Sequence, residues 1–143
     1  MLNRLRRAAA VARARAARPG RGGHQVDEVL QLARMSFVQL QAAWDRADLG
    51  ALGALTTEPL LAELRDQLER RGPAPNRTEV LALDARLLAL EDLRDALVAS
   101  VEFSGLIRER VDEAAAPFRE LWLLANIKRS AAGWRLARVQ SLS

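Results

Sequence analysis

The sequence predicts an α+β domain, a helical half followed by a meander of antiparallel strands, and three observations predict it. Val26, Val29, Leu30, Ala33, Phe37, Leu40, Trp44 and Ala47 recur at steps of three and four, so they line one face of a helix. Asp27, Glu28, Arg34, Gln41 and Asp45 lie mostly off that face. Gly72-Pro73 closes the helical half. Beyond it, Ala99, Val101, Phe103, Gly105 and Ile107 alternate with Ser100, Glu102, Ser104 and Arg108, the period of two that marks a strand.

At 143 residues the chain is one domain, long enough to bury roughly two thirds of its unfolded surface. It has no cysteine, which excludes disulfides, cysteine-type zinc fingers and thiol catalysis. It has no tyrosine, and its one histidine, His24, sits in a Gly-rich stretch, which argues against most acid–base enzymes. No apolar run is long enough to span a bilayer. Arginines interrupt every candidate signal-peptide core near the start.

Charge divides the chain in two. Residues 1–24 carry seven arginines, at 4, 6, 7, 13, 15, 18 and 21, and no acid. Of the chain's 22 basic and 18 acidic residues, that leaves 15 basic against 18 acidic for residues 25–143. A basic arm therefore precedes a mildly acidic domain, and the high isoelectric point does not signal nucleic-acid binding across the domain.

Element by element, residues 1–17 are Arg/Ala-rich and compatible with a helix. In that helix Arg4, Arg7, Arg15 and Arg18 share a stripe, with Leu2, Leu5, Ala9, Ala12 and Ala16 opposite. An alanine-dominated face anchors weakly in lipid. Attraction to an anionic surface is then mainly electrostatic, about 1 kcal/mol per arginine at the surface. Arg4, Arg6, Arg7, Arg13, Arg15 and Arg18 are the candidate membrane-binding residues. A solvated tail and an organelle-targeting presequence are the other readings of the arm. Pro19-Gly20-Arg21-Gly22-Gly23 serves as a linker.

The first domain helix is expected over residues 25–47. Asp48 is placed to cap a short turn over 49–55, and Thr57 to cap a further helix with Glu58 and Pro59 in its first turn. Leu60, Leu61, Leu64 and Leu68 form that helix's apolar stripe, and Arg70 and Arg71 fall at its negative end. Thr78 to Val98 is rich in leucine and alanine, so propensity alone reads it as one long helix. Residues 117–128 have strand length, residues 130–133 read as a turn, and residues 134–142 follow as a last strand with Trp134, Leu136, Arg138 and Gln140 on one face.

These segments resemble, in order, the Tim44-like family, named for the C-terminal domain of the peripheral subunit that tethers the import motor to the mitochondrial inner membrane, and its bacterial members in particular. The matching pieces are LQAAWDRADLGAL, TTEPLLAEL, NRTEV, SVEFSGLIRE, FRELW and GWRLARVQ, spanning about residues 26–142. The resemblance implies a cone-like fold related to nuclear transport factor two, in which N-terminal helices pack on a curved four-stranded antiparallel sheet and leave an apolar pocket between. It therefore implies that Val80–Leu90 is a strand, against its propensity. The family's closing motif has a glycine and a glutamine pair where this chain has Arg138 and Gln140-Ser141. Bacterial members also carry a signal or membrane-spanning segment before the domain. Here the basic arm takes that place, or the natural chain starts earlier.

Chemistry is sparse. Asp84, Glu102 and Glu120 are the acids with strand positions that can face inward, and solvent exposure or pairing with an arginine is the plainer expectation for each. A lone carboxylate lacks a titrating partner, so no catalytic residue, cofactor or metal site is assigned. Phe37, Leu40, Trp44, Phe103, Trp122 and Trp134 read as core residues, and on the functional reading as the lining of a pocket for an acyl chain or an apolar peptide. The resemblance implies a non-enzymatic, peripheral membrane-associated module near protein translocation or membrane-protein handling. Its expected partners are an anionic phospholipid surface and another protein or an apolar peptide segment, with no DNA partner and RNA a weaker third. The alternative is a soluble cone-fold domain that binds or transforms a small apolar ligand. A single lysine amid arginine, alanine and leucine points to a GC-rich genome, which favours the inner membrane of a bacterium over a mitochondrion.

Overall fold

A computed structural model describes residues 23–72, 77–110 and 112–142, so the basic arm expected to bind membranes lies outside the described residues. Three helices, α1 (Gly23–Asp45), α2 (Leu49–Leu55) and α3 (Glu58–Arg71), precede four strands, β1 (Glu79–Asp92), β2 (Ala96–Arg108), β3 (Ala116–Ile127) and β4 (Trp134–Ser141). The strands pair in sequence order as one antiparallel sheet. Register shifts at Val80/Ala82, Leu87/Ala89 and Leu123/Leu124 bend it. The helices cover the concave face, giving the α+β class that the sequence predicts.

The punctuation works as the residues dictate. α1 ends in a turn where Ala47 takes φ 54°. Asp48 then caps α2, its Oδ1 accepting from Ala51 N at 3.0 Å. Thr57 begins α3 with no side-chain cap, but its backbone N donates to Leu136 O at 2.9 Å, which fastens the α2–α3 junction to β4. Gly72, at φ 83°, ends α3.

β1 forms where propensity reads helix. Its concave residues Val80, Leu83, Ala85, Leu87 and Leu90 pack on the core, and its pairing with β2 runs from Glu79 to Asp92. Non-local pairing and burial override the helical preference of this Leu/Ala segment. Gly105 is required at this pairing. Its φ is 154°, and a Cβ there would lie 1.9 Å from Ala82 O at the first register shift.

In an antiparallel pair, opposed residues share a face. Ala99, Val101 and Phe103 oppose Leu124, Trp122 and Glu120, and with Gly105 and Phe118 these build the concave face. The face expected for the last strand is corrected: Leu136 and Val139 are buried, whereas Arg138 and Gln140 turn to the convex side. The register shift opposite Leu123/Leu124 inserts a residue into β4, and one inserted residue exchanges the faces.

Candidate functional site

Among the described residues, aromatic side chains and a buried carboxylate converge in the interior between α1 and the sheet. Phe37 projects from the middle of α1, with its ring centroid 4.8 Å from Phe103, 5.6 Å from Phe118 and 5.0 Å from Trp122. Phe103 and Trp122 meet edge to face at 5.0 Å. Of the six expected lining residues, Phe37, Leu40, Trp44, Phe103 and Trp122 are fully buried, and Trp134 is half-buried opposite Asn126. The structure brings Phe37, Phe103 and Trp122 together and adds Phe118, which was not among the six.

Glu120 departs from the solvent-facing expectation. It is 0% exposed, on the concave side of β3, where its Oε1 accepts from Trp122 Nε1 at 3.1 Å. The cause is the alternation itself: Phe118 and Trp122, two residues either side, are both inward, so Glu120 must be inward too. Glu102 faces the convex side and pairs with Arg86 at 3.3 Å and with Arg119 at 3.1 Å. Asp84 is exposed. Gln41, placed off the apolar face by the helical pattern, is instead 3% exposed. The signal for it was its position, four residues after Phe37 and three before Trp44.

Around this interior, polar side chains stitch helix ends to neighbouring elements. Asp45, closing α1, accepts from Thr78 N at 2.7 Å and from Thr78 Oγ1 at 2.8 Å, which fixes the entry into β1. Arg71 donates from Nη1 to Trp44 O at 2.6 Å. Arg135 reaches from β4 to Gly53 O at 2.9 Å and Thr56 O at 3.4 Å, satisfying carbonyls at the end of α2. Thr56 Oγ1 donates to Leu52 O at 2.8 Å. Asp45, Thr56, Thr78, Gly105, Glu120 and Arg135 all belong to the six segments that carry the family resemblance. Those motifs thus mark the joints of the fold.

Among the described residues no group of histidine, aspartate and glutamate is arranged to hold a metal ion. Among them, too, no helix is long and apolar enough to cross a membrane.

Solved structures resemble the chain in fold. The intermembrane space region of the chloroplast protein ARC6 superposes with a TM-score of 0.53 at 12% identity, covering 80% of this chain and 96% of that one. A nuclear transport factor 2-like superfamily protein from Salmonella enterica serovar Typhimurium gives 0.48 at 16% identity, over 80% and 89% of the two chains. A ketosteroid isomerase-like protein from Erwinia carotovora atroseptica gives 0.43 at 19% identity, over 82% and 98%. No curated protein sequence matches the chain. The family model of the Tim44-like domain matches residues 8–141, from within the basic arm to the end of β4, and the chain belongs to that family.

Proposed function

We propose that this protein is a non-enzymatic module held at an anionic membrane surface by its basic arm, where the domain contacts an apolar protein or peptide partner during protein translocation or membrane-protein handling. The observation that carries this reading is the charge division, seven arginines and no acid in residues 1–24 ahead of a mildly acidic domain. At about 1 kcal/mol per arginine near the surface, several engaged residues hold a protein of this size reversibly, and salt weakens the hold. Membership of the Tim44-like family supports the same reading. The inner membrane of a bacterium is the proposed location.

The test is flotation with neutral and anionic liposomes at low and high salt. It compares the full chain, a chain starting at Gln25, and a full chain with Arg4, Arg6, Arg7, Arg13, Arg15 and Arg18 changed to glutamine. The expected result is that only the unaltered full chain floats, only with anionic lipid, and that salt releases it. Equal flotation of all three, or of none, removes the arm from the mechanism.

A second reading, a soluble domain that binds or transforms a small apolar molecule, has one observation in its favour: the buried Glu120 carboxyl beside Trp122 in an otherwise aromatic interior. It requires that ligand binding survive removal of the arm.

A further inference from the structure

α1 turns its buried stripe to the sheet, and the line opposite that stripe carries no charge. The line consists of Gln31, Met35, Val38 and Ala42, all exposed, with Met35 at 52% and Val38 at 55%. From Val29 to Trp44 the helix has a single charged residue, Arg34, on the flank of the line. α3 shows how this domain builds a solvated helix face: its exposed residues include Glu58, Glu63, Arg65, Asp66, Glu69 and Arg70. An outermost line without charge, with methionine and valine at its middle, has the composition of an interface centre. Its steps of four, three and four are those of a coiled-coil seam.

The charges at the two ends of the line select the occupant. Asp27 and Glu28 are exposed ahead of it, and Arg46 is exposed behind it. Arg46 N donates to Ala42 O at 3.2 Å, so this arginine continues the helical path. Within its own chain it lies 3.6 Å from Asp48, in an exposed pair that holds it weakly. When a second α1 is turned end for end about a two-fold axis between Met35 and Val38, Met35 meets Val38 of the second copy and Gln31 meets Ala42. Asp27 and Glu28 then meet Arg46 of the second copy, once at each end. A parallel pair would instead set arginine on arginine and acid on acid. The line is therefore complementary to its own reverse, in charge and in apolar position alike.

We infer that α1 is a homodimer interface: two copies of this chain pair antiparallel through Gln31, Met35, Val38 and Ala42, with Asp27 and Glu28 of each copy against Arg46 of the other. The pairing stands apart from the membrane reading but bears on it. The two Gly23 ends, from which the basic arms leave, stand about 35 Å apart at opposite ends of the helix pair, so one dimer brings two arms to a surface.

The test is sedimentation equilibrium of the full chain over about a hundredfold range of concentration. The unaltered chain is expected to dimerise. Val38→Glu is expected to stay monomeric, because it sets a charge at the centre of the contact, and to fold normally, because Val38 is exposed. Arg46→Glu makes both ends of the pair like-charged, and so does the combination of Asp27→Arg with Glu28→Arg. Each of these two proteins is expected to dimerise about tenfold more weakly. An equimolar mixture of the two matches charges at both ends and is expected to dimerise as well as the unaltered chain. Mixing does not rescue a variant that has merely failed to fold. A monomeric unaltered chain overturns the inference, and if Val38→Glu then also weakens flotation with liposomes, the line belongs to lipid instead. A dimer that survives Val38→Glu overturns it too, since the contact then lies elsewhere. Failure of the mixture to recover overturns the antiparallel pairing.

Discussion

Arg71, on the last turn of α3, donates from Nη1 to the carbonyl oxygen of Trp44 at 2.6 Å, and its guanidinium lies 5.2 Å from the centre of the same residue's ring. One side chain thus satisfies a C-terminal carbonyl of α1 and stacks on the indole that fills the core beneath it. The Trp44 carbonyl also accepts from Ala47 N at 3.0 Å, so both of its lone pairs are used. The positive charge sits near the negative end of α1 as well as that of its own helix.

Arg71→Ala is therefore expected to destabilise the protein by about 2–3 kcal/mol, combining a charge-assisted hydrogen bond with the stacking contact. Arg71→Lys keeps the charge but not the planar fork, and is expected to recover less than half of that loss. Urea unfolding midpoints at constant m-value provide the measurement. Full recovery by lysine would show that charge alone matters at this joint.

Trp122 and Glu120 form the second joint, two residues apart on β3 with the indole donating to the carboxyl at 3.1 Å in the core. Trp122→Phe removes the donor and some volume, and is expected to cost about 3 kcal/mol. Glu120→Gln keeps an acceptor oxygen and is expected to cost about 1 kcal/mol. Combining Trp122→Phe with Glu120→Leu removes both polar partners, so the double variant is expected to cost about 1–2 kcal/mol less than the sum of Trp122→Phe alone and Glu120→Leu alone. Strict additivity in this double-mutant cycle would mean that the bond contributes nothing to stability.

Much of this architecture is legible in the sequence, and the exceptions have physical causes. Asp48, Gly72 and the apolar steps from Val29 to Trp44 announce the helices, because caps and helical spacing act locally. β1 does not announce itself. Leu87, Leu88, Ala89 and Leu90 suit a helix, and only pairing with β2 makes them a strand. Glu120 was legible in principle, since Phe118 and Trp122 bracket it at strand spacing, but residue type argued for solvent. Gln41 was hidden in the same way by its polarity. Arg138 and Gln140 lie on the face opposite to the one that strict alternation predicts because a bulge changes parity, and no residue of WRLARVQS signals one.

Asp48 ties one of these local signals to pH. Its carboxylate accepts from Ala51 N at 3.0 Å and lies 3.6 Å from the Arg46 guanidinium. The backbone hydrogen bond chiefly, with help from Arg46 and against a smaller opposing effect of desolvation, holds its pKa below the ordinary 3.8. The folded form binds this proton less readily than the unfolded chain does. Its contribution to stability is therefore fully present above pH 3.8 and is lost as pH falls through the lowered folded value. Asp48→Asn keeps an acceptor for the Ala51 amide but removes the charge, so it should melt slightly below the unaltered protein near neutrality. That gap should stay constant down to about pH 5 and close below pH 3.8, the ordinary value of the group. Asp48→Ala, which removes the acceptor as well, should melt lower than Asp48→Asn near neutrality. Thermal unfolding of all three proteins across the acid range reads both effects. A gap between aspartate and asparagine that persists at the lowest pH would mean that the cap works through shape alone, with no part played by the charge.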